Sequence, residues 1–353
     1  MKRAEIVFHD LKNKTEVNIG RQPELDLAKG WAVICMVIIH MMGISRKHEE
    51  VTSWIFDYLI DTPLVAPCFV FCLGIGICYT RKRPKELVIR GLGLFFSGLI
   101  LQRIFLFSSM IDVLQFAGLA TIVMAAVKKI KLPPWLFLLF SAGCYAAQVM
   151  TDGIITAHPF FNKIISYIVQ QDTQNFSLCA LLIYAAGGYV FGSYLRRQPN
   201  KTAFYLTSGV GGILLLGIYF LCGSDTLWGP ERERIERTLL VPITYGTITV
   251  FLCAIHFLLR ILPERIKQFF FRLSRNVTAI YCIHWPIATW LTFLCRGILT
   301  NHVGIVFPDH SAFLLSIPIL IVSLLLAERY YKIKQKIKQD RRSKKLAVAG
   351  QKK

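Results

Sequence analysis

Acidic side chains are scarce in this chain of 353 residues: 21 Asp and Glu stand against 41 Lys and Arg, a formal net charge of +20. An excess of that size raises nucleic acid as a partner. The cations are not gathered into a patch, however; they fall in short runs between long apolar segments, and no nucleic acid is expected. The sequence has no nucleotide-binding loop, no H-E-x-x-H and no G-x-S-x-G, which removes the common phosphate-cradling, zinc-protease and serine-hydrolase frameworks. Its ten cysteines (35, 68, 72, 78, 144, 179, 222, 253, 282 and 295) form no C-x-x-C pair, and all lie in or at the ends of apolar runs. They read as small buried residues with free thiols. Cys68 and Cys72 are one helical turn apart but have no acidic or His partner near them in sequence, so no metal is predicted. The first 24 residues are polar and of mixed charge, so no cleavable signal peptide is expected.

Hydrophobic residues make up 54% of the chain, too many apolar runs of bilayer length for a soluble protein of this size. Ten such runs can be marked: 25–44, 54–79, 87–107, 111–127, 133–150, 177–195, 202–222, 239–261, 277–295 and 312–328. The expected fold is an all-α integral membrane protein, a bundle of about ten transmembrane helices. With the N-terminus placed in the cytoplasm, the even-numbered connections and the tails hold 32 of the 41 Lys and Arg, and the opposite loops hold seven. That asymmetry predicts both termini cytoplasmic. The chain then divides into a cytoplasmic segment (1–24), a transmembrane domain (25–328) and a basic cytoplasmic tail (329–353) suited to anionic lipid.

The first run, LDLAKGWAVICMVIIHMMGI, carries Asp26, Lys29 and His40. Ionisable groups inside a span are costly and point to function. Lys29 and His40 are 11 residues apart, about three helical turns, or roughly 16 Å along the axis. Asp26 lies about four turns before His40, so all three share one face. The second run holds Asp57 and Asp61 four apart on one face, followed by Pro63 and Pro67, which kink or end a helix locally.

Leu25-Asp26-x-x-Lys29-Gly30 followed by an apolar run and His40 resembles the opening of the multi-pass membrane acyltransferases, both the acyltransferase-3 group and the heparan-α-glucosaminide N-acetyltransferase-like group. The family carries Arg where Lys29 stands, and a lysine keeps the charge without the planar fork. Ala66-Pro67-x-Phe69-x-Phe71-x-x-Gly74 resembles that family's A-P-x-F-x-F-x-x-G and favours the glucosaminide branch. Asp112-Val113-Leu114-Gln115 with Gly118-Leu119-Ala120 resembles D-V-L-Q-x-x-G-L-A. Tyr281, His284 and Pro286 are similar to the acyltransferase-3 pattern S-x-x-x-Y-x-x-H-x-P.

The resemblance implies an acyltransferase of the cell membrane. It would move an acetyl or short acyl group from cytoplasmic acetyl-CoA, a donor co-substrate, to a sugar or glycan on the extracytoplasmic side. His40 is the expected general base or acyl carrier; Asp26 is expected to orient Lys29, and Lys29 to face the pyrophosphate or pantetheine end of the donor. His284 is expected either to stabilise the thioester carbonyl or leaving thiolate, or to serve as a helix-to-helix hydrogen bond. Arg81, Arg83 and Arg90, in the basic connection 81–90, read as topology or as a landing site for donor phosphates. The acceptor side is expected to use His48, Asp57, Asp61, Arg103, Asp112 and Gln115, with Arg103 pairing Asp112 across a short turn. His256, alone on an apolar helix, reads as a satisfied structural histidine. Ser274 and Asn276 read as caps of the ninth span. Expected partners are acyl-CoA, the glycan acceptor and membrane lipids; the oligomeric state stays open. A glycan or lipid transporter is the competing class, but it should show paired broken helices and two repeated halves, and no convincing repeat is present.

Overall fold

A chain that enters hydrocarbon has to pair its own backbone N–H and C=O groups, and the helix is the local way to do so. In the computed structural model, which describes residues 16–45, 63–106, 112–151, 177–221, 230–294 and 309–350 and the single positions 165 and 168, ten α-helices follow one another. They are α1 (Pro23–Ser45), α2 (Ala66–Tyr79), α3 (Pro84–Leu101), α4 (Val113–Ile130), α5 (Pro134–Thr151), α6 (Leu178–Arg197), α7 (Lys201–Leu221), α8 (Pro230–Ile261), α9 (Glu264–Thr292) and α10 (Asp309–Gly350). No strand occurs among the described residues. Four helices open on a proline, α1, α3, α5 and α8. There the fixed φ suits the first turn, and the missing N–H has no partner to lose. Others open on polar caps: Ser177 accepts from the Ala180 N–H at 3.4 Å to start α6.

Seven of these helices are long and apolar enough to cross a membrane: α1, α3, α4, α6, α7, α8 and α10. The three others among the ten expected spans fall short for separate reasons. The described part of α2 has 14 residues, and residues 54–62 of that run lie outside the described set. α5 is apolar but just under length. α9 begins at Glu264, so Arg265, Lys267, Arg272 and Arg275 occupy its first half. Ser274 and Asn276 therefore sit inside α9, not at its start; Pro263 is the N-cap, and the Asn276 amide donates to the Arg272 carbonyl at 2.9 Å. The basic tail likewise continues as helix to Gly350, past the boundary expected at 329.

The chain forms two compact units, with α1 contributing to each in turn. The first comprises residues 1–28 and 63–262. Its core joins Val70 and Ile77 of α2, Phe116 and Met124 of α4, Phe137 of α5 and the buried run Leu181–Ala186 of α6. The approach of α2 to α6 is set by glycine. A Cβ on Gly188 would overlap the Phe71 carbonyl oxygen, and one on Gly74 would overlap that of Ala185. Backbones can meet this closely only where both helices present small residues. At the far end of α2, Arg196 donates to the Cys78 carbonyl at 2.8 Å and Lys128 donates to that of Thr80, so two cations satisfy the carbonyls that end a helix.

Glu24, 3% exposed, is the acidic centre of another buried cluster in this unit. Its carboxylate accepts from Lys201 Nζ at 3.2 Å and from His256 Nδ1 at 2.9 Å, and Tyr205 stacks on the His256 ring at 4.7 Å. His256 is thus a satisfied histidine, and its partner comes from the segment expected to be a cytoplasmic lead-in.

The second unit comprises residues 29–62 and 263–353. Val33, Val37 and Met41 of α1 pack with Leu273, Ile280 and Ala288 of α9 and with Ile319, Leu320 and Leu324 of α10. Arg272 on α9 holds Glu328 on α10 through two hydrogen bonds, at 2.5 and 2.8 Å.

Replacing Gly188 with Ala should force α2 and α6 apart and cost about 1–3 kcal/mol of stability. Gly93→Ala, where nothing lies within 4 Å of the new methyl, should leave the melting temperature in detergent unchanged or slightly raised. Thermal melts of the two variants beside the parent protein test this contrast.

Candidate active site

The apolar stripe of α1 that places Val33, Val37 and Met41 in the second unit's core also carries His40 to the α9 surface. On α9, Ile280, His284 and Ala288 follow at intervals of four, one buried line, while Tyr281 and Trp285 take the adjoining line. His284 is fully buried and His40 half-buried. The two imidazoles meet: His40 Nδ1 lies 2.8 Å from His284 Nε2, and the rings are nearly parallel, at 5.0 Å between centroids and 8°. Trp285 stacks on His40 at 4.2 Å and 30°, and Tyr281 meets both imidazoles edge-on, at 5.9 and 5.3 Å.

Hydrogen bonding fixes the direction of this pair. His284 Nδ1 is 3.0 Å from the Ile280 carbonyl oxygen, which can only accept. Nδ1 of His284 therefore carries the proton, and its Nε2 presents a lone pair. Nδ1–H of His40 donates to that lone pair, so in the neutral pair the basic nitrogen of His40 is Nε2. The arrangement orients one imidazole through another and leaves it equipped to take a proton.

Asp112 and Gln115 are also brought together. Asp112 caps α4, and its N–H donates to Gln115 Oε1 at 3.3 Å. Gln115, fully buried, donates through Nε2 to Gln102 Oε1 at 2.7 Å. The expected ion pair between Arg103 and Asp112 is not present among the described residues. After Leu101 the chain enters a π turn, Gln102–Leu106, whose extra residue changes which positions face inward. Gln102 is buried and Arg103 exposed. Sequence reasoning singles out Arg103 here; the polar partner of the D-V-L-Q segment is Gln102.

Asp26 forms an ion pair with Arg21 in the lead-in to α1. Lys29 is half-buried on the same helix. Arg81 and Arg83 are exposed in the connection before α3, and Arg90 is exposed on α3 itself. His48, Asp57 and Asp61 lie outside the described residues. Among the described residues no group of three or more His, Cys, Asp or Glu could hold a metal.

Seven membrane-length helices, and an imidazole in the membrane-spanning part of α1 paired with one on α9, define a multi-pass integral membrane protein with an ionisable centre. The family model described as heparan-alpha-glucosaminide N-acetyltransferase, catalytic, matches residues 21–227, more than half of the chain, and the chain belongs to that family. It is a transmembrane acetyltransferase in that general sense. The match includes His40, Asp112 and Gln115, and ends before His284. No curated protein matches the chain.

Gln115→Leu should leave the Gln102 carbonyl oxygen without this donor and the Asp112 N–H without its cap. The expected loss is about 1–3 kcal/mol, read as a lowered melting temperature of the purified protein.

Proposed function

We propose that the protein transfers an acetyl group from acetyl-CoA, entering from the cytoplasm, to a sugar or glycan acceptor on the extracytoplasmic side of the cell membrane, with His40 as general base. The observation that carries this reading is the contact of His40 Nδ1 with His284 Nε2. It gives His40 the tautomer in which Nε2 can accept a proton, and an imidazole is the side chain best suited to gain and lose one near neutral pH. His40 Nε2 takes the proton of the acceptor hydroxyl or amine as that group attacks the thioester carbonyl carbon. The tetrahedral centre collapses with cleavage of the carbon–sulfur bond, and the proton passes from His40 to the departing thiolate. His284 is a positioning residue: it holds the His40 ring and accepts its Nδ1–H while the ring is charged.

In this reading both termini are cytoplasmic, and the exposed Arg81, Arg83 and Arg90 meet the anionic end of the donor. His48, Asp57 and Asp61 are assigned to the acceptor side. Lipid covers the exposed apolar side chains of the spans.

The test is acetyl transfer by purified protein in vesicles supplied with acetyl-CoA and a panel of amino and neutral sugars. His40→Ala should lower the rate by about 10²–10⁴ while the protein remains in the membrane. A His40→Ala variant that turns over like the parent protein rejects His40 as the base.

A further inference from the structure

Trp285 is 8% exposed, and its indole Nε1–H has no hydrogen-bond partner among the described residues. A donor buried within a membrane protein has no solvent to relieve it, and such groups are normally paired. This one belongs to the ring that stacks on His40 at 4.2 Å and lies 5.4 Å from His284. A phenylalanine would supply the same stacking without the cost of an unpaired donor. The neighbourhood is also where an acyl group must come if His40 is to deprotonate its attacker.

We propose that Trp285 Nε1–H is the hydrogen-bond donor to the acyl carbonyl oxygen. The proposal rests on the reading of His40 as the base of acetyl transfer. As the acceptor's O–H or N–H attacks the carbonyl carbon and gives its proton to His40 Nε2, the carbonyl π pair moves onto oxygen, and the indole N–H stabilises the oxyanion. When the carbon–sulfur bond breaks, that pair re-forms the carbonyl, and the thiolate receives the proton held by His40. The donor is unpaired before the donor substrate arrives and most strongly engaged at the tetrahedral stage, so its effect falls on kcat more than on KM.

Trp285→Phe keeps an aromatic face against His40 and removes the N–H. The expected result is a fall in kcat of about 10²–10³, a KM for acetyl-CoA changed by little, and unmoved limbs of the pH–rate profile, because the imidazole keeps its stacking partner. A merely structural role for the ring would instead shift the pH profile or the melting temperature and leave kcat near the parent value. Should Trp285→Phe fail to fold, 3-benzothienylalanine at position 285 preserves the bicyclic shape with sulfur in place of N–H, and the same loss of kcat is expected. Parent-like kcat in either folded variant, measured beside an inactive His40→Ala protein, overturns the proposal and leaves the base intact. Activity retained by His40→Ala overturns the base itself, which is a separate failure.

Discussion

Hydrocarbon offers no hydrogen-bond partner, so a polar group carried into the membrane must bring its own. Much of the described structure follows from that constraint. Prolines open helices where an N–H would be unpaired, and Arg196 and Lys128 reach the carbonyls at the end of α2. Gln102 and Gln115 pair in the interior of the first unit, and His40 and His284 pair in the second. In each case a side chain whose isolated burial would be unfavourable is held by a second one. Trp285, whose buried N–H has no partner among the described residues, sits on the ring that does the proposed chemistry.

The two units use the constraint differently. In the first, α2 and α6 approach until only glycine fits between them, and dispersion over a large apolar core holds the helices together. Its buried acid, Glu24, is balanced by Lys201 and His256. In the second unit α9 is amphipathic over its length: charged through its first turns, where Arg272 grips Glu328, and apolar later, around the imidazoles. Pro286 lies two residues beyond His284 and cannot donate to the Cys282 carbonyl as a regular helix residue would. The missing backbone hydrogen bond therefore falls beside the histidine that positions the candidate base.

Hydropathy made the helices legible, because length and apolar composition are local properties. His40 and His284 were each legible as costly intramembrane imidazoles. Their contact was not: 244 residues separate them, and no periodicity within one helix reports which face of another it meets. The turn after α3 was unreadable for a different cause. A π turn leaves no signature in an apolar run, so the charged Arg103 drew attention that belonged to Gln102. Glu24 was counted with the polar segment before the first span, although only tertiary packing against α7 and α8 shows that it is buried. The early basic residues of α9 read as a connection in the sequence, whereas their polar heads leave an amphipathic helix free to start at Glu264.

The sequence distance between the two imidazoles also bears on how the protein is made. His40 is synthesised in α1 and His284 in α9. A nascent chain carries the first ring through the synthesis of α2 to α8 before the second exists to accept its N–H. Until then the early histidine lacks its permanent companion, and a ribosome product broken off anywhere upstream of α9 is a membrane protein with an unguided imidazole. The contact between the two rings thus forms late in translation, when α9 docks on α1.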